Sequence, residues 1–165
     1  MLQRRCPECG YDASAVSPHD VSRRLRDCAH AWVDVLARED VRVRPAPAVW
    51  SPLEYGCHVR DVCRLYLERL ELMLTTDDPL YPNWDQDATA VEERYGEQDP
   101  VTVMEQLAAA ATLLAMRFAA LTDDEWQRPG RRSDGAAFTV DSFARYFLHD
   151  VEHHLHDVNR REPAL

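Results

Sequence analysis

The sequence predicts an all-α protein: a four-helix bundle preceded by a short irregular N-terminal arm. Three observations lead there. Four long stretches carry apolar residues recurring at three and four, the helical period. Two of those stretches open on strong helix-start signals. No strand-like alternation is sustained anywhere. Four long helices with unequal connections form a bundle most naturally, with residues 1–19 as the arm and 20–165 as the bundle domain.

The first helix is expected over residues 20–38. Val21, Leu25, Cys28, Ala29, Trp32, Val33 and Leu36 make one apolar stripe, and Cys28 on that stripe reads as core. Residues 40–49 carry prolines and read as a loop. In the second helix Ser51 caps, Pro52 suits the first helical position and Glu54 completes a capping box with Ser51. That helix is expected to run to about residue 74. Tyr55, Val59, Val62, Cys63, Tyr66, Leu70 and Met73 form its apolar face, Arg60, Arg64, Glu68 and Glu71 its wet face, and His58 sits at the apolar edge.

Residues 75–100 are long, acidic and proline-bearing, which suits a lid, a pocket rim or a disordered strap. Trp84, Arg94 and Tyr95 lie in it and are the expected rim of a pocket, although each also has an ordinary surface or packing role. The third helix follows an Asp99-Pro100 start and spans residues 101–121, with Val103, Leu107, Ala110, Ala111, Leu114 and Phe118 inward. Residues 122–137, with Pro129, Gly130 and Gly135, read as a connecting loop that holds a short helical turn at Asp124-Glu125-Trp126. The fourth helix is expected over 139–161.

Composition bounds the function. The net charge of -10 disfavours a nucleic-acid partner, because neutralising phosphates needs a basic face. All 19 basic residues are arginine, which excludes lysine Schiff-base chemistry and has the tone of a GC-rich bacterial genome. The N-terminus lacks the apolar run of a signal peptide, and no stretch reads as a membrane span. The expectation is a cytoplasmic protein without a membrane partner, whose five cysteines are thiols or metal ligands.

The segment from His149 to Asp157 concentrates the chemistry, with four of the seven histidines and three carboxylates in nine residues. Winding it at ~100° per residue separates them. Phe143, Phe147, Val151, Leu155 and Val158 gather on the core side, and Asp150 and His154 lie beside them. With His58 they can form a two-histidine, one-carboxylate set that leaves coordination positions open and suits zinc, iron, nickel or manganese. The same residues also read as a hydrogen-bonded buried pair without metal. His149 and His153 face the other way. They supply half of a zinc site, and the knuckle Cys6-Pro7-Glu8-Cys9-Gly10 supplies the other half, a complete Cys2His2 donor set. Otherwise they are two solvated histidines beside two spare thiols.

Trp50-Ser51-x-x-Glu54-x-x-x-His58 resembles the opening of the DinB-like family. His153-His154-Leu155-His156-Asp157-Val158 is similar to that family's His-His-x-x-Gln-Ile ending, and Asp124-Glu125-Trp126 before a glycine-containing loop also fits. The resemblance covers residues 20–158 and implies a four-helix bundle that binds a divalent metal through three histidines. His58 carries over as the first ligand and His154 as the last. The middle ligand falls on Asp150, a departure from the family pattern. A rival alignment takes His149 and His153 instead. The Cys-x-x-Cys arm is an addition.

The resemblance further implies a thiol-dependent S-transferase using a low-molecular-weight thiol such as mycothiol, with zinc the first choice of metal and a small-molecule substrate. Arg94 would then meet a carboxylate of the thiol. It also implies a homodimer. Two other readings compete. One is a metal-assisted hydrolase with Asp150 or Glu54 as base. The other is a non-catalytic, zinc-stabilised binding or stress protein.

Overall fold

The computed structural model describes residues 5–160. Among the described residues there are five α-helices: α1 (Pro18–Leu36), α2 (Pro52–Thr75), the short α3 (Gln86–Glu92), α4 (Pro100–Ala119) and α5 (Val140–Asn159). The four long ones are those the sequence predicts, with ends within about two residues. The expected end of the last helix at Arg161 lies outside the described residues, as do residues 1–4.

Caps set the starts. Ser17 accepts from the His19 N–H at 3.3 Å with Pro18 following, the same serine-proline signal that opens α2. Asp99 accepts from Thr102 N–H at 2.8 Å, and Thr139 exchanges bonds with Ser142 in a second capping box. The packing is carried by α1 and α2, each against both α4 and α5. Trp32, Phe118, Phe143 and Phe147 are fully buried at the centre. Tyr66 stacks on Phe143 with centroids 4.3 Å apart, an offset arrangement that adds to area burial. Helix α4 is long and apolar enough to cross a bilayer by length and composition. Its Val103, Leu107, Leu114 and Phe118 are instead buried in the bundle.

The fold departs from the sequence reading at a small sheet, at Arg60 and at Val33, which sits on the expected apolar stripe of α1 but is exposed. A small sheet is present: β1 (Leu80–Tyr81) pairs parallel with β2 (Pro129–Arg132), which pairs antiparallel with β3 (Ala137–Thr139). Strands of two to four residues are too short to show alternation, which is why they read as loop. Gly135, at φ 93°, makes the turn of the β2–β3 hairpin. The second departure is Arg60, placed on the wet face of α2 by its period but 5% exposed. Residues 76–99 fold back over the start of that face and cover Arg60, while Arg64 and Glu68 stay exposed. Arg60 pairs with Asp61 at 2.8 Å and donates to Gln98 and Gln106. This strap is therefore an ordered cover that carries β1 and α3.

The arm packs on the bundle. Tyr11, Ala13 and Val16 join the core. The Tyr11 hydroxyl donates to the Arg145 carbonyl at 2.8 Å, and Arg145 donates to the Ala13 carbonyl at 2.8 Å, which lays the arm along α5.

Candidate metal centre

The capping box of α2 sets the phase that aims His58. Glu54 Oε2 accepts from the Ser51 N–H at 2.8 Å, and Arg44 Nε donates to the same oxygen at 2.9 Å. With its carboxylate thus engaged, Glu54 is a structural cap rather than a free base. One turn on, His58 points into the bundle and is 0% exposed. Helix α5 delivers Asp150 and His154 from the opposite side.

The three donors lie within 4.8 Å of one another. His58 Nε2 is 3.5 Å from Asp150 Oδ2, and His154 Nε2 is 3.6 Å from Asp150 Oδ1. Neither His58 nitrogen has a hydrogen-bond partner, although both are buried. Leaving a buried polar group unpaired costs about 1–3 kcal/mol. A shared cation removes that cost, and the spacing suits one. Two donors each ~2.1 Å from a tetrahedral zinc lie about 3.4 Å apart. The donor set fits a divalent ion held by three protein ligands with positions left open.

Electrostatics favour a cation at the same point. Burial works against ionising Asp150, but the imidazoles of His154 and His58 outweigh it and hold the carboxyl far below its usual range. Burial alone would depress His154, yet Asp150 and Asp157 lift it to about 9. Asp157 Oδ2 sits 3.4 Å from His154 Nδ1, an ion-pair contact outside hydrogen-bond geometry on the side of the ring away from Asp150.

Aromatic rings wall the centre. Trp84 stacks on His58 at 5.3 Å with planes 5° apart, Trp50 approaches His58 at 5.4 Å, and Tyr55 lies 5.1 Å from His154. His58 and Asp150 open onto a cavity of about 210 Å³ whose wall includes Trp84, Arg69, Arg132 and Tyr146. His154 faces a second recess of about 180 Å³ beside Trp50, Tyr55 and Gln86. Gln86 borders both.

Of the three expected rim residues, Trp84 lines the cavity. Arg94 and Tyr95 do not. Arg94 is exposed and lies 3.5 Å from Glu97. Tyr95 is fully buried, its hydroxyl donating to Asp61 at 2.7 Å. Two cations reach the cavity: Arg132, held by Asp134 at 2.8 Å, and Arg69, which the sequence reading passed over. Arg69 is 6% exposed, donates to the Pro82 carbonyl at 2.7 Å and lies over Tyr81 at 4.9 Å. No carboxylate among the described residues pairs with it, and burial draws its pKa down from the usual arginine range. An arginine on an amphipathic helix reads as solvated; only the fold of the strap shows otherwise.

His149 and His153 turn away from this centre towards the arm, as their helical phase requires. Cys6, Cys9, His149 and His153 bring one donor atom each within 4.8 Å of the others. Backbone N–H groups of Cys9 and Glu8 lower the pKa of the Cys6 thiol, whereas burial raises that of Cys9. Burial, with a smaller push from His153, depresses His149. Cys28 and Cys57 are core residues whose thiols burial pushes up to about 12, which leaves them poor nucleophiles.

The model of the DinB superfamily matches residues 22–158, which takes in all four long helices and the segments that carry His58, Asp150 and His154. The chain belongs to the DinB superfamily. A comparison with curated proteins finds no match. Among solved structures, YfiT from Bacillus subtilis is similar at 17% identity over 87% of this chain and 88% of that one, with a TM-score of 0.74. YfiT is described as a probable metal-dependent hydrolase with an unusual four-helix bundle topology. At that identity the likeness establishes a shared four-helix-bundle fold. Within this DinB chain, the middle position of the expected ligand set is the carboxylate of Asp150.

Proposed function

We propose that the protein is a divalent-metal-dependent enzyme, with His58, Asp150 and His154 as ligands, that transfers a low-molecular-weight thiol to a small electrophile. The observation that carries the metal is the pair of orphaned, buried His58 nitrogens facing Asp150. When bound, the ion supplies Lewis acidity that lets a thiol docking at its open position lose its proton near neutral pH.

The chain's own residues do the rest. Asp150 orients both imidazoles. Trp84 and Trp50 keep water from His58 on two sides, and a dry setting strengthens the local electrostatics. Arg69 keeps N–H donors for an anionic group of the thiol or its acceptor, since among hydrogen-bond contacts it spends only one on Pro82. The cavity, at about 210 Å³, has room for a small molecule.

A hydrolase is the second reading, favoured by the likeness to YfiT and by the ability of the same open position to take water. The test supplies zinc-, nickel- or manganese-loaded protein with a generic electrophile and a panel of small thiols, with ester and amide substrates in parallel. Thiol-dependent conjugation lost in His58→Ala is expected. Turnover of the esters or amides without thiol would move the assignment to hydrolysis, and no activity with any metal would remove both.

A further inference from the structure

We propose that Cys6, Cys9, His149 and His153 close around one zinc ion that fastens the N-terminal arm to α5, separate from the His58 centre. The donor set is complete, two sulfurs and two imidazoles, and the four atoms lie within 4.8 Å of one another. Cys6 Sγ is 3.7 Å from His153 Nδ1. Sulfur and nitrogen ligands at ~2.3 and ~2.0 Å from one tetrahedral zinc sit about 3.5 Å apart. A thiol–imidazole hydrogen bond would satisfy that one pair but leaves His149 unexplained. His149 Nε2 is buried and has no hydrogen-bond partner.

The surroundings are built for the ion. The Cys6 N–H donates to the Tyr11 carbonyl at 2.8 Å and the Gly10 N–H to the Cys6 carbonyl at 3.0 Å. Gly10, at φ 75°, makes the reversal that puts both sulfurs on one side. Tyr11 stacks on His149 at 5.0 Å and fixes its ring. His153 Nε2 lies 3.3 Å from Glu8 Oε2 and 3.5 Å from Asp157 Oδ1. Carboxylates on Nε2 leave Nδ1 as the metal-facing atom, the arrangement usual behind zinc-binding histidines. Four protein ligands leave no position for substrate, so the ion is structural. It ties residues 6–11 to the segment of α5 that carries Asp150 and His154.

The experiment uses the full chain without a polyhistidine tag. Metal content is measured on the purified protein, and cobalt is then exchanged in to read thiolate coordination as a near-ultraviolet charge-transfer band. Wild type is expected to show the band and a zinc equivalent that survives His58→Ala. Cys6→Ser, Cys9→Ser and His149→Gln are expected to lose that equivalent and the band and to expose the arm to protease, with helical circular dichroism retained. Loss of the band in His58→Ala, its persistence in the cysteine variants, or its absence from wild type would each overturn the proposal. The His58 centre is read separately, as the metal fraction that lacks thiolate absorption, so either site can fail alone.

Discussion

His153 and His154 face different sides of α5 yet share one carboxylate: Asp157 sets Oδ1 3.5 Å from His153 Nε2 and Oδ2 3.4 Å from His154 Nδ1. Adjacent residues on a helix diverge by ~100°, so only a group one turn on can reach both. Asp157 therefore orients a ligand of each candidate site. Removing such a partner typically weakens metal binding by about 10–100-fold. Asp157→Asn is expected to weaken both sites in chelator-competition titrations, and an unchanged affinity at either would sever that link.

Asp150 occupies the middle of the inward set. Asp150→Ala leaves two protein ligands and is expected to abolish stoichiometric binding at the His58 centre. Asp150→His supplies three imidazoles in its place and is expected to retain a metal, with preference moved towards softer ions. Competition between zinc and manganese on the two forms measures that shift.

Arg69 separates anion recognition from metal binding. Hydrogen bonds to charged groups contribute about 1.5–3 kcal/mol, so Arg69→Met is expected to raise KM for an anionic ligand about 10–100-fold while metal content holds. Arg69→Lys recovers part of that loss. Arg94→Ala, on the exposed side of the strap, leaves KM unchanged.

Without metal, stability depends on pH through the same groups. His154 is raised from 6.5 to about 9, so its contribution is complete below about 6.5 and lost as pH rises through 9. Asp150 is lowered from 3.8, so its contribution is present above that value and lost as pH falls below it. The metal-free protein is expected to show its highest Tm between roughly pH 4 and 6.5. In the metal-loaded protein the ion takes the place of the His154 proton, and the alkaline decline flattens. Thermal melts across pH in the two forms check this, and a metal-free Tm that climbs from pH 6.5 to 9 contradicts it.

Gly130 joins the sheet to the bundle. A Cβ there would stand 2.8 Å from Met73 Cγ, and Met73 is fully buried. Gly130→Ala is expected to cost about 1–3 kcal/mol as overpacking, read as a lowered denaturation midpoint with helical content intact.

The bundle was legible because its signals are local. Ser51, Pro52 and Glu54 announce α2 in four residues, and a fixed turn angle divides the histidines of α5 before any contact is known. The clustering of Cys6 and Cys9 with His149 and His153 followed from complementary half-motifs, although more than a hundred residues separate them. What escaped depends on the strap. Whether Arg60 and Arg69 are wet, whether Tyr95 is a rim or a core residue, and that Leu80 and Tyr81 extend a sheet are all decided by how residues 76–99 fold back over α2. No periodicity in α2 itself encodes that cover. The strap's own strand is two residues long, and its positive-φ turns at Asp78 and Arg94 lack the glycine that marks such positions.

The indoles of Trp50 and Trp84 bracket His58 at 5.4 and 5.3 Å. Trp126, by contrast, stacks on Phe118. The protein thus carries its own fluorescent reporter beside the candidate ligand His58. An open-shell ion such as nickel arriving at His58 would dim two emitters packed on its imidazole, whereas the arm-site rings of Tyr11, His149 and His153 stack on neither indole. Occupancy of the inward centre can be followed by intrinsic emission in real time, without a label, a chromogenic chelator or a known substrate.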